Sequence, residues 1–407
     1  MLRFLHCADA HLDTPFTMED LEQADVRRAE LRNAFSSMML YIRQNGVRLL
    51  LIAGDLFSHA FLTKETTALL RREFASVPDC HIFIAPGSHD FFAEDSVYQT
   101  TAFSENVHIF KSEVPSCFSL TVPDENGTDI PLEVWGFANV SPDMNGYEVL
   151  AGRKLREKQP GVHRIFVGHA ALAGSRSEDP CAAQAPVLTK EQLAAAGFDY
   201  CALGRYHTSD GIRRIDVTTT AQKTRTTYFG YAGCLVGRGF SEPGPRGAVC
   251  GTLDFDANGD TVFSVRRLRI ARRRYECLEL DLDSLPDAQK TDAGITSAIA
   301  DALAAAVAAK KMAAPDRDTA LRLTVTGTLG AELLLSEKTI AAALAPLGSL
   351  TLIDKTTPGK TDVLAADPTL RGAYYHALAD RLQADDPTLR ETAALALRLG
   401  MQAFKQE

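Results

Sequence analysis

Aspartate and histidine recur in this chain directly after short apolar runs: Asp9-Ala10-His11, Gly54-Asp55, Gly87-Ser88-His89-Asp90, Gly168-His169 and Gly204-Arg205-Tyr206-His207. Carboxylate and imidazole are ligands of borderline-hard divalent metals, and phosphoryl transfer is chemistry that such metals assist. One Asp-x-His alone carries little weight. Five such clusters, each closing a strand-like run, point to a single metal site assembled from distant parts of the chain.

The elements that must position these residues follow from the hydrophobic pattern. Over residues 1–205, strand candidates Leu2–Cys7, Val47–Ala53, His81–Ala85, Leu132–Phe137, Arg164–Val167 and Tyr200–Leu203 alternate with helix candidates Leu21–Asn45, Lys64–Ser76 and Lys190–Ala196. That is the pattern of an α/β sheet with covering helices, whose ligand sites lie beyond the carboxyl ends of the strands. From about 210 to 275 the chain turns strand-rich (Arg213–Val217, Thr227–Ala232, Ala248–Phe255, Thr261–Ile270), which predicts antiparallel strands completing a second sheet. After residue 275 the order is strand Tyr275–Leu282, an Ala-rich helix at about 286–311, strand Leu321–Gly327, helix Glu332–Ala345 and strand Leu350–Lys355. The expected organisation is therefore a domain over 1–275, an α+β domain over 276–357, and a linker with C-terminal helices over 358–407.

Thr356-Thr357-Pro358-Gly359-Lys360 reads as a linker by its turn chemistry. Asp367-Pro368 and Asp386-Pro387 each read as an Asp N-cap followed by Pro at the first helical position. Leu389, Ala393, Leu397, Met401 and Phe404 form an apolar stripe, either packed on its own protein or docking a partner's helices.

Composition sets outer limits. The 407 residues suffice for two or three cores, and 45% hydrophobic with 23% charged residues is ordinary for a globular protein. No run approaches the roughly 20 apolar residues of a membrane span, and no signal peptide precedes Asp9. Eight scattered cysteines without a C-x-x-C pair suggest neither a zinc ribbon nor a disulfide framework, so a reducing cytoplasm is the expected setting. A net charge of -9 argues against coating nucleic acid by bulk electrostatics. It leaves room for a local basic track, because affinity depends on the charges that meet phosphates. Arg266, Arg267, Arg269, Arg272, Arg273 and Arg274 are such a track or else a solvated strand edge. His6, His59, His81, His108, His163 and His376 have no cluster around them and read as packing or surface residues. Cys7 and Cys201 read as small apolar filler, and Asp13 as a helix cap or a support for the site.

With the clusters in this order, the chain resembles the calcineurin-like metallophosphoesterase superfamily (D-x-H, G-D, G-N-H-D, G-H, G-H-x-H), and within it the DNA double-strand-break repair nucleases of the bacterial SbcD and YhaO type. Gly54-Asp55-Leu56-Phe57, Val134-Trp135-Gly136-Phe137, Tyr231-Ala232-Gly233 and Gly237-Arg238-Gly239-Phe240-Ser241-Glu242 with Arg246-Gly247 carry the nuclease-like part. The resemblance covers roughly residues 1–255. It implies an α/β, two-sheet, β-sandwich-like domain flanked by helices, with a small α+β capping domain and a helical C-terminal tail. It implies that Asp9, His11 and His207 hold a first metal, that Asp55 bridges two metals, and that His169 serves the second. His89 would act near the leaving oxygen without ligating, Asp90 would orient His89, and a metal-bound hydroxide would attack. Mn²⁺ is the metal the resemblance favours, with Mg²⁺, Fe²⁺ or Zn²⁺ also compatible. The implied partners are DNA, a coiled-coil SMC-like ATPase subunit and a second copy of the chain, with no membrane.

Two departures fall on the second metal. Ser88 stands where the family has Asn, and Arg205 where it has the first His of G-H-x-H. A guanidinium stays protonated and offers no lone pair. Either Arg205 substitutes for the second cation by holding a phosphate, or the site has lost catalysis. The function classes are thus a DNA exonuclease, a non-catalytic subunit of a nuclease–ATPase assembly and, less well matched, a small-phosphoester phosphatase.

Overall fold

The computed structural model describes residues 1–17, 20–174, 184–218, 224–257, 259, 261–359 and 361–404. It divides into two compact units, one of Met1–Arg238 with Arg246–Arg272 and one of Gly239–Pro245 with Arg273–Glu407. Among the described residues no helix is long and apolar enough to cross a membrane.

The first unit opens with β1 (Leu2–Cys7), α1 (Leu21–Gln44), β2 (Leu49–Ile52), α2 (Lys64–Ala75), β3 (His81–Ile84), α3 (Val97–Thr100) and β4 (Val107–Ile109). It continues through β5 (Ser116–Pro123), β6 (Asp129–Gly136), β7 (His163–His169), β8 (Ala171–Leu172), β9 (Val187–Leu188), α4 (Lys190–Ala196) and β10 (Tyr200–Gly204). It ends with β11 (Ile212–Thr218), β12 (Thr224–Tyr231), β13 (Gly247–Phe255) and β14 (Thr261–Arg269). Two six-stranded sheets result, ordered β14-β13-β1-β2-β3-β4 and β11-β12-β10-β7-β6-β5. In the first, β1 to β4 run parallel; in the second, β12, β10, β7 and β6 do.

The α/β two-sheet expectation holds, with one correction. Of the strands after residue 210, only the first two complete the second sheet. β11 and β12 extend the second sheet, whereas β13 pairs antiparallel with β1 and carries β14 onto the first. Hydrophobic patterning finds strands but not partners, because pairing is decided by which sheet face a strand covers.

The period-2 alternation of strand side chains sorts the core into layers. Phe4, Leu49, Leu51 and Phe83 point toward the other sheet and meet Val134, Ile165, Val167 and Tyr200. Leu5, Leu50, Ile52, Ile82 and Ile84 point the other way, onto Leu31, Phe35, Met38 and Ile42 of α1 and Leu70 and Phe74 of α2. Phe166, Cys201, Leu203 and Phe229 lie with Leu193 of α4. Burial on both faces explains why these strands read as unbroken apolar runs.

The second unit comprises β15 (Arg274–Asp281), α5 (Asp292–Ala308), β16 (Thr319–Thr326), β17 (Thr328–Gly330), α6 (Glu337–Ala343), β18 (Ser349–Asp354), β19 (Thr357–Gly359), α7 (Thr361–Ala365), α8 (Leu370–Leu382) and α9 (Pro387–Ala403). β15, β16 and β18 form a parallel sheet. The expected helix at 286–311 is shorter, because Thr291 caps it: the Thr291 hydroxyl accepts from Gly294 N. The helix at 332–345 contracts to α6 because the Ser336 hydroxyl caps it. The linker reading fails at 357–359, where β19 pairs with β17; Lys360 lies outside the described residues. Asp386 caps α9 with Pro387 behind it, but the cap of α8 is Thr369 rather than Asp367. Asp367 instead accepts from Thr369 N at 2.8 Å. In the α9 stripe, Leu397 and Met401 are fully buried with Leu364 and Leu378 of the same unit and Leu389 is exposed; Leu395 and Leu399, outside the stripe, are exposed as well.

His6 links the two sheets of the first unit. Its Nδ1 lies 2.8 Å from Tyr200 Oη and its Nε2 3.2 Å from the Leu203 carbonyl. Burial outweighs the carbonyl contact and drives its pKa from 6.5 down to about 3. The folded chain therefore keeps the ring neutral while the unfolded chain takes up a proton. The stabilisation is complete above pH 6.5 and is lost as the pH falls from there toward about 3. The variant His6→Gln should lose stability at neutral pH yet show a shallower further loss on acidification than wild type, read from urea unfolding midpoints across that window.

Candidate metal centre

All five clusters lie where parallel strands of the first unit end. Asp9 and His11 follow β1, Asp55 follows β2, and Gly87–Asp90 follow β3 of one sheet; His169 closes β7, and Arg205–His207 follow β10 of the other. The loops after β1 and β2 run side by side. Asp9 N donates to Gly54 O at 3.0 Å, His11 N to Asp55 O at 2.9 Å and Leu12 N to Leu56 O at 3.0 Å.

The backbone is held in an unfavourable conformation at these positions. Asp9 (φ 49°), His11 (45°), Asp13 (63°), Asp55 (51°) and Arg205 (128°) all have positive φ. Such strain costs about 1–3 kcal/mol per residue and persists only where the surroundings enforce it. Gly54 must be glycine for a related reason: its φ is 81°, and a Cβ there would sit 2.6 Å from the Cβ of His169. A Cβ on Gly87 would collide with the Asp55 carboxylate.

Three groups of donor atoms result, Asp9 with His11 and His207, His11 with Asp55 and His89, and Asp9 with Asp55 and His169, each within 4.8 Å. His11 Nε2 is 3.2 Å from His207 Nε2, and His169 Nε2 is 3.4 Å from Asp55 Oδ2. Asp9, His11, Asp55 and His169 are buried, whereas His89 is exposed and His207 half-buried. Asp9 thus touches both halves of the centre, although the family pattern assigned it to the first metal only. His89, expected not to ligate, stands among donor atoms.

The electrostatics show what the cluster lacks. Burial opposes the charged form of Asp55, but His169, His11 and His89 outweigh it and bring its pKa down to about 2. Burial raises the pKa of Asp9, against its histidine neighbours. Burial also works against protonated His169, yet Asp55 and Asp9 raise its pKa, whereas burial pushes His11 well below the usual imidazole range. Asp9 Oδ1 is buried with no hydrogen-bond donor among the described residues. A buried carboxylate oxygen without a donor, set among imidazole nitrogens, matches the needs of a divalent cation, and the residues present fit one.

Asp90 departs from its expected role of orienting His89. Its buried carboxylate accepts from Gly87 N (2.6 Å), Asp55 N (3.0 Å), Leu56 N (2.8 Å) and Tyr98 Oη (2.6 Å). Asp90 therefore ties the loop after β3 to the loop after β2. Burial, then the nearby Asp55 charge, raises its pKa to about 6. His89 is placed by its own N–H, which donates to Asp55 Oδ1 at 2.8 Å. Ser88 is half-buried, and Arg205 N donates to Asp9 Oδ2 at 3.2 Å. Asp13 anchors α2, accepting from Thr63 N and Oγ1 at 2.8 Å each.

Sequence reasoning missed two supports. Buried Asn139, just past β6, donates through Nδ2 to Pro86 O (3.2 Å) and His169 O (3.4 Å), joining loops of both sheets. Its signal was available, a polar residue closing an apolar run like the other site residues. Tyr98 gave none.

The arginine run does not form one track. Arg266, Arg267 and Arg269 lie on β14, where successive side chains leave opposite faces. Arg266 turns to α1 and donates to Tyr41 Oη at 2.6 Å. Arg272 is exposed and Arg273 half-buried. Arg274 is a correction: it opens β15 in the second unit, buried, paired with Glu276 at 2.9 Å and donating to Ala314 O at 2.7 Å.

Fold and site together define a double-sheet α/β scaffold whose strand ends gather Asp and His donor atoms that could hold metal ions. Residues 2–194 match the family model described as Calcineurin-like phosphoesterase. Over 212 residues the chain is 30% identical to the Bacillus subtilis (strain 168) protein named "Uncharacterized metallophosphoesterase YhaO", covering 51% of this chain and 48% of that one. The chain spans about half the length of this curated relative. Solved structures with some likeness include TT1561 of Thermus thermophilus (TM-score 0.33, 11% identity, 65% of this chain and 98% of that one). Another is the calcineurin-like phosphoesterase YfkN from Bacillus subtilis (TM-score 0.35, 13% identity, 65% and 90%). The match over residues 2–194 supports the calcineurin-like metallophosphoesterase superfamily.

Because Asp90 satisfies three buried N–H groups at once, Asp90→Ala should destabilise the chain by about 3 kcal/mol or more, measured by urea unfolding at neutral pH. A loss under about 1 kcal/mol would mean that the two loops are held by something else.

Proposed function

We propose that the chain is a metal-dependent phosphodiesterase acting on DNA ends, an exonuclease of DNA repair. The observation that carries the phosphoesterase part is the pair of donor groups sharing Asp9, with its buried oxygen lacking a donor. Asp9, His11 and His207 would hold one divalent cation, and Asp9, Asp55 and His169 a second, with Mn²⁺ the proposed ion. When bound, such ions polarise a phosphoester and lower the pKa of water. His89, exposed beside His11 with ring centroids 5.0 Å apart, would meet the leaving oxygen as a proton donor. Arg205, in the strained loop beside Asp9, would add fixed positive charge for a phosphate. The family pattern, together with exposed Arg267 and Arg269 on one face of an edge strand, supports DNA as the substrate.

The expected result is Mn²⁺-dependent shortening of end-labelled single- or double-stranded DNA, reduced at least about a hundredfold in Asp55→Ala. Hydrolysis of small phosphoesters without loss of DNA would replace the nuclease with a phosphatase.

A second reading is a catalytically weakened or inactive DNA- or partner-binding subunit of a nuclease–ATPase complex. Ser88 and Arg205 favour it, since both stand where the family pattern has ligands of the second metal. DNA binding without cleavage, with the ATPase present, would select it. The coiled-coil ATPase partner belongs to the same proposal, with exposed Leu389, Leu395 and Leu399 of α9 as its contact. Joint Leu395→Glu and Leu399→Glu substitution should abolish co-purification while leaving the fold intact by circular dichroism; retained binding would remove α9 from the interface.

A further inference from the structure

The face of the first sheet that turns toward α1 changes character along its strands. Directly opposed residues of antiparallel strands point the same way. Leu5, Ala248 and Leu268 of β1, β13 and β14 belong to the apolar layer under α1. Toward the start of β1 the same face carries Arg3 opposite Thr252, Thr252 opposite Ser264, and Cys250 opposite Arg266. The apolar cover stops there. A cavity of about 350 Å³ is lined by these side chains and by Tyr41 of α1.

Hydrogen-bond donors and positive charge dominate the lining. Arg266 Nη2 donates to Tyr41 Oη at 2.6 Å, and the guanidinium carbon lies 6.0 Å from the centre of the Tyr41 ring. That bond uses one of the five N–H groups in a guanidinium fork. Arg3 brings a second guanidinium, bonded to Asn45 O at 3.0 Å and to the Glu125 carboxylate at 2.6 Å. The Glu125 charge offsets that of Arg3, so the charge of Arg266 is the surplus. Hydroxyls add to the lining: Thr252 Oγ1 lies 2.8 Å from Ser264 Oγ, and Tyr41 Oη 3.7 Å from Cys250 Sγ. A phosphate offers several acceptor oxygens and negative charge, and a guanidinium binds it by paired hydrogen bonds.

We propose that this cavity binds a phosphate group, as inorganic phosphate or as a phosphate monoester, at a site separate from the metal centre. Arg3 lies near the start of β1 and Asp9 just past its end, about 20 Å apart at about 3.3 Å per residue. The site depends neither on the metal centre nor on the proposed nuclease activity.

The test is calorimetric titration of the full chain, with a chelator present, using inorganic phosphate, deoxyadenosine monophosphate and deoxyadenosine. The two phosphates should bind and the nucleoside should not. Arg266 is exposed, so Arg266→Ala and Arg266→Gln should keep the fold by circular dichroism. Each should weaken phosphate binding at least about tenfold, since a charge-assisted hydrogen bond contributes on that scale. Asp55→Ala should bind phosphate as wild type does. Alkylation of half-buried Cys250 by iodoacetamide, followed on its own peptide by mass spectrometry, should slow in saturating phosphate. Equal affinity for the two phosphates would support free phosphate as the ligand, and tighter binding of the monophosphate a nucleotide. No binding of either phosphate, unchanged affinity in both Arg266 variants, or an unprotected Cys250 would overturn the proposal. Binding lost in Asp55→Ala but kept in Arg266→Ala would put the anion at the metal centre and overturn it as well.

Discussion

Two carboxylates, Asp9 and Asp55, are buried where the parallel strands of two sheets end, and much of the first unit is arranged around them. Removing a carboxylate from water costs several kcal/mol unless charge or donors replace the lost hydration. The protein supplies part of that compensation. His169, His11 and His89 surround Asp55, and the His89 N–H donates to it. Asp9 receives an N–H from Arg205 on one oxygen only. The centre is therefore incomplete in a directional sense, with a position that a divalent cation satisfies better than another protein dipole.

Holding such a cluster requires rigid loops, and the loops are held by buried polar side chains rather than by apolar packing. Asp90, Asp13 and Asn139 each join segments distant in the chain, bonding respectively to the loop after β2, to the start of α2, and to the ends of β3 and β7. Positive φ at Asp9, His11, Asp55 and Arg205 is sustained by these ties. Strain concentrated at one edge of an otherwise regular double sheet is itself a sign of where function lies.

The family pattern loses ligand positions at Ser88 and Arg205, yet the second half of the centre retains Asp9, Asp55 and His169 as a donor group. Arg238 adds positive charge in contact with His207 of the first half.

How much was legible in the sequence differs between the strands and the site. Strands buried on both faces announce themselves as apolar runs, and residues placed just past them inherit that signal, so local pattern singled out Asp9, His11, Asp55, His89, His169 and His207, whose donor atoms the fold brings close together. Local pattern also located the helices, with caps at Thr63, Thr189 and Asp386 setting their starts. It did not determine which sheet β13 and β14 join, that Asp90 braces a loop instead of orienting His89, or that Arg274 is buried against Glu276 while Arg266 faces Tyr41. The physical reason is range. Hydrophobic periodicity and capping are properties of a few neighbouring residues, whereas strand partners, the acceptor that each N–H finds and the tautomer of each imidazole depend on groups brought close only by the folded chain.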